Sequence, residues 1–214
     1  MKNTAPALVL IILGIAINLQ AQFTQVELFK GLDKTSFNLL SSQHLNEAKS
    51  LSLTTLGFFE NYGSNENRNF DEAGIQPTLF WNFSKRFSIG PSLYYNSIGG
   101  FSQRISTRYT SKGERLLLVI IPTVGYAQQK EQIYIETFAQ FQFNVPLKES
   151  ISFWVNGQFL HVWDEFRTHS RSFQQLRAGI SLSGHQVGVG LDMDRYGPEA
   201  LSRNAIGMYY RRML

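Results

Sequence analysis

The sequence predicts an all-β protein, an antiparallel up-and-down transmembrane β-barrel reached through export. Three observations lead there. An apolar N-terminal run is followed by no second one; the rest of the chain alternates with period two; and composition is rich in aromatics and poor in charge. Aromatic residues make up 14% of the 214 residues and charged residues 17%, against about 25% charged in ordinary soluble domains. Few charges and many aromatics suit a protein that shows part of its surface to lipid.

The N-terminus reads as a signal peptide over residues 1–21. Lys2 supplies the positive start, residues 7–17 (ALVLIILGIAI) the apolar stretch, and Leu19-Gln20-Ala21 the cleavage region. A run of that length is too short for a spanning helix, which needs about 20 residues. Cleavage after Ala21 leaves Gln22 as the first residue of the mature chain. With no later apolar run, only a barrel can satisfy every backbone group in lipid.

Ten strands are expected, over 49–62, 72–84, 87–98, 101–110, 114–127, 132–145, 151–163, 173–183, 186–194 and 203–214. Ala73, Ile75, Leu79 and Trp81 alternate with Gly74, Gln76, Thr78 and Asn82; Ile133, Ile135, Phe141 and Phe143 alternate with Glu136, Gln140 and Gln142; Val187, Val189, Leu191 and Met193 alternate with Gly188, Gly190, Asp192 and Asp194. Such alternation gives each strand one apolar and one polar face. Strand 114–127 is apolar on both faces, and eight strands is the alternative count without it. Pro77, Pro91 and Pro122 fall inside strands, where each removes a ladder donor. Connections 63–71, 164–172 and 195–202 read as longer loops on one rim, with short turns on the other. Residues 22–48 lack sustained alternation and are expected as a lead-in to a barrel domain of 49–214. Within them, 36–48 reads as a short helix with Phe37, Leu40 and Leu45 on one side, or as another strand.

The polar face carries Gly, Ser, Gln and Asn with almost no Lys, aromatics gather near strand ends, and Ile206, Met208, Tyr210 and Leu214 share one row of the terminal strand. In this pattern the chain resembles small outer-membrane β-barrels of the OmpA/OmpX type. That resemblance implies insertion by the barrel-assembly machinery and contact with outer-membrane lipid and lipopolysaccharide. A soluble exported lipocalin-like barrel is the alternative with the faces reversed.

The chemistry-bearing residues are fewer. The absence of cysteine excludes disulfides, thiolate metal sites and a cysteine nucleophile. A net charge of +4 with no basic run excludes a nucleic-acid partner. No metal-ligand spacing occurs among His44, His161, His169 and His185, and no cofactor is expected. With the apolar face outside, Arg104, Arg108, Glu136, Arg177, Asp192, Asp194 and Arg211 point into the lumen. There they either pair and fill a narrow bore or line a polar pore or ligand site, because unpaired buried charges are costly. Asp192 and Asp194 are expected at the centre of these pairs, with arginines as partners. The first reading is therefore a non-enzymatic barrel, structural or narrow and porin-like. The second is a hydrolase acting on lipid or lipopolysaccharide, built on His169 with Ser170 or Ser172 and Asp164 or Glu165.

Overall fold

The computed structural model describes residues 23–63 and 70–214. The signal-peptide segment 1–21 lies outside the described residues. The chain forms twelve strands: β1 (Phe23–Gly31), β2 (Lys34–His44), β3 (Leu51–Tyr62), β4 (Glu72–Asn82), β5 (Phe87–Asn96), β6 (Gly100–Lys112), β7 (Leu116–Ala127), β8 (Gln132–Lys148), β9 (Ile151–Asp164), β10 (Thr168–Leu182), β11 (His185–Tyr196) and β12 (Leu201–Met213). Each pairs antiparallel with its sequence neighbours, and β1 pairs with β12 to close the barrel.

The expected count of ten strands, with eight as alternative, is corrected to twelve. The two additional strands come from the region read as a lead-in. Residues 36–44 belong to β2, so the strand alternative holds there and the helix does not. Their alternation is broken because Leu39 and Leu40 fall on opposite faces, and in β1 the aromatic Phe29 turns into the lumen and is fully buried. Each of the ten expected segments coincides with a strand, β7 included. Twelve strands make a wider ring than the eight of OmpA/OmpX-type barrels.

Loop lengths also differ from expectation. The stretch 164–172 shrinks to 165–167 because β10 begins at Thr168. Glu165 and Phe166 both take positive φ, of 50° and 63°, closing a tight turn with an Arg167 N–H bond to the Asp164 carbonyl. Both central residues are left-handed in a type I′ hairpin, usually Asn or Gly, so the sequence gives no turn signal here. The stretch 195–202 shortens likewise to 197–200, and most of 63–71 lies outside the described residues.

Facing follows the alternation. Leu93, Ile105, Val189, Ile206 and Met208 are exposed on the outer wall, whereas Gln140, Gln142, Asp192 and Arg211 are buried inside. A lipocalin-like barrel would place its apolar row inside, so that alternative is without support. Aromatics ring both ends. Trp81, Phe83, Phe87 and Tyr109 stack in succession at the rim that carries the chain termini, with centroids 5.8, 6.3 and 5.1 Å apart. Tyr95 and Phe101 pair at 4.8 Å on the opposite rim, as an interfacial girdle requires. Pro77 and Pro91 both lie on the β4–β5 seam, where the ladder is interrupted but resumes in unchanged register from Gly74↔Asn96 to Asn82↔Ser88.

Candidate functional site in the barrel lumen

All of the expected charged residues turn inward, and most of them form one continuous network. On the β10–β12 and β1 wall, the Arg177 Nε donates to Glu27 at 3.0 Å and its Nη1 to Asp192 at 2.6 Å. Arg211 donates from Nε to the other Glu27 oxygen at 2.9 Å and from Nη2 to Asn156 at 3.1 Å. One carboxylate thus serves two guanidinium groups, a fork-shaped fit that Lys could not supply. Space for Arg177 comes from Gly190. A Cβ there would lie 2.9 Å from both the Arg177 Cδ and the Phe29 ring, over which the guanidinium packs.

Nearer the rim opposite the termini, Lys34 Nζ reaches Glu60 at 2.8 Å, Asp194 at 2.9 Å and Asp192 at 3.2 Å. The ammonium thus stands among three carboxylates and donates a hydrogen bond to Asp194. Arg171 then bonds Glu60 at 3.2 Å and Glu72, with Asp194 at 3.7 Å. Strands β4 and β10 stand halfway round the ring of twelve, so the Arg171–Glu72 pair crosses the bore. The chain of contacts Arg211–Glu27–Arg177–Asp192–Lys34–Glu60–Arg171–Glu72 is unbroken.

Asp192 and Asp194 are both ion-paired; of the arginines expected as partners, Arg104, Arg108, Arg177 and Arg211, only Arg177 reaches either of them among the described residues. Asp192 takes Arg177 and Lys34, Asp194 takes Lys34 and Arg171, and Arg211 goes to Glu27 instead. Arg104 pairs with Glu136 at 3.2 Å, bonds Gln76 at 2.8 Å and lies 3.7 Å from the Tyr94 ring centroid. Arg108 has no carboxylate partner among the described residues. It donates to Asn82, Ser88 and Thr54 at 3.0, 3.2 and 3.3 Å and packs over Phe80. Glu27, Lys34, Glu60, Glu72 and Arg171 escaped the sequence reading. Glu27 and Lys34 sat in the presumed lead-in and Arg171 in a presumed loop. Glu60 and Glu72 sit on the polar faces of strands already read, and that position was the signal.

Between this network and the Arg104–Glu136 pair lies a cavity of ≈150 Å³, lined by residues of β1–β5 and β6–β10. The expected catalytic grouping does not assemble. His169 and Ser172 lie in β10 and not in a loop, on the outward side beside Trp163. His169 Nε2 is 3.2 Å from the Ser172 hydroxyl, but Nδ1 faces the Gly197 carbonyl at 2.6 Å. Asp164 is held by Lys130, and Ser172 is buried.

No protein-family model matches this sequence, and no curated protein matches it either. Solved structures do. The barrel is similar to the NanC porin at TM-score 0.51 and 8% identity, covering 90% of this chain and 98% of that one. It is similar also to the KdgM porin at TM-score 0.50 and 8% identity, covering 89% and 98%. The fold is that of a porin-like outer-membrane β-barrel. At such identity the likeness reaches no further than the fold.

Proposed function

We propose that the protein is an integral outer-membrane β-barrel, exported by its signal peptide and porin-like in build, whose narrow lumen is held shut by ion pairs. The observation that carries this reading is the Arg171–Glu72 contact across the full width of the bore, backed by the fully buried Lys34, Asp192 and Asp194. Outer-membrane lipid and lipopolysaccharide cover the apolar wall, and the barrel-assembly machinery inserts the chain through β12. The barrel serves as a structural wall and as a conduit only when the network opens. Fractionation tests location: the mature chain, starting within two residues of Gln22, needs detergent for release from the outer membrane. A freely soluble periplasmic protein refutes this. Planar-bilayer recording tests the shut lumen. Wild type shows little steady conductance, and Arg171→Ala raises it severalfold. Large steady wild-type currents, or an unchanged variant, overturn the closed reading.

A further inference from the structure

A row of glutamines crosses three neighbouring strands inside the barrel. Gln140 on β8 pairs in register with Gln158 on β9, and Gln158 with Gln175 on β10. One step toward the rim opposite the termini, Phe138, Leu160 and Phe173 form a parallel apolar row. Both rows line the ≈150 Å³ cavity, and Gln25 lines it from β1. Gln25, Gln140 and Gln175 are only 4%, 5% and 6% exposed, and the Gln25 Oε1 is buried without a partner. Among the described residues none of these four carboxamides makes a side-chain hydrogen bond within the protein, so their donors and acceptors are free for whatever occupies the cavity.

The lining selects a chemistry. A carboxamide offers two N–H donors and a carbonyl acceptor, which hydroxyl groups match in both directions. The apolar row suits a C–H face. The nearby charges are already paired, Arg104 with Glu136 and Arg171 with Glu60, so an ion entering here would lose its hydration without a counter-charge. A cavity of ≈150 Å³ has room for several water-sized groups, the scale of glycerol or one sugar ring. We infer that the lumen contains a binding site for a small neutral polyol, from glycerol up to a single sugar ring, held by the Gln140–Gln158–Gln175 row against Phe138 and Phe173. The site rests on the closed-lumen reading in so far as the paired Glu60 and Arg171 form part of its lining.

Saturation-transfer NMR on the folded barrel in detergent tests this with glycerol, D-glucose and the gluconate anion. Transfer is expected to glycerol or glucose and not to gluconate. Gln158→Leu removes hydrogen bonding worth about 1 kcal/mol, roughly a five-fold loss of affinity, while Gln103→Leu on the outer wall leaves transfer unchanged. Heat-modifiable migration confirms that both variants fold. Arg171→Ala is measured in parallel, because it opens the way past the ion pairs. Transfer in that variant alone still supports the site. No transfer in either background means that the cavity holds water only and overturns the inference, as does equal transfer in Gln158→Leu or stronger transfer to gluconate. Because conductance is read separately, a conducting wild type refutes the closed lumen without deciding the polyol site.

Discussion

The two halves of the lumen solve the same problem in different ways. On the side of β10–β12 and β1–β3, carboxylates and cations interlock until Arg177, Arg211, Lys34, Asp192 and Asp194 lose contact with solvent. On the side of β6–β9, neutral carboxamides and apolar side chains border open space, and Arg104 with Glu136 is the one ion pair inside the lumen among the described residues. Filling a barrel with charge gives a rigid wall, because every ion between the two ends of the network is tied to two or three others. Filling it with amides leaves donors and acceptors to spare. The difference shows where the barrel's stability is concentrated and where a solute can be accommodated.

The largest effect should come from breaking the charged half. Glu27 accepts from both Arg177 and Arg211. Glu27→Ala leaves Arg211 without a carboxylate and Arg177 with Asp192 alone, and removal of one partner from a buried pair costs about 3–5 kcal/mol. Urea unfolding in lipid vesicles measures it. Gln158→Ala, in the amide half, breaks no ion pair and no side-chain hydrogen bond among the described residues, and should cost far less. Equal losses at the two positions would erase the distinction between the halves.

A smaller effect separates inside from outside. Ala139 faces outward and Gln140 inward at the middle of the same strand. Ala139→Arg should cost about 2–4 kcal/mol near the bilayer midplane. Gln140→Lys, which places its charge in a polar lumen, should cost much less. A reversed order in the same unfolding experiment would mean that the wall is inside out.

What could be read from the sequence follows from what lipid demands. Wherever the outer row had to be apolar and the inner row stayed polar, as in β8 and β11, period two gave the strand to within a few residues. The reading failed where the interior itself turned apolar. Phe29 in β1 and Leu40 in β2 face the lumen and blur the alternation, so two strands were missed, and Glu27 and Lys34 with them. Partner choice was hidden for another reason. Lys34 and Asp194 meet across 160 residues of chain, and nothing local specifies which of several inward charges a carboxylate will find. Lys34 also shows that three converging carboxylates favour a compact ammonium where the sequence argument had favoured Arg throughout.

The smallest effect isolates burial from geometry. The Arg177–Glu27 and Lys130–Asp164 pairs both close at 3.0 Å. The first is dry; the second stands at the rim, its lysine side chain 54% exposed. Distance alone would rank them equal. In water the Coulomb gain is screened and offset by the entropy of holding a long side chain, so an exposed pair contributes about 0–1 kcal/mol. Lys130→Ala should therefore shift the unfolding midpoint barely at all, and raising salt should leave even less. A double-mutant cycle on each pair makes the test quantitative, since the coupling term excludes the packing that each side chain contributes alone. Coupling at the rim as large as that between Arg177 and Glu27 would show that local geometry, and not the dry interior, sets the strength of this barrel's ion pairs.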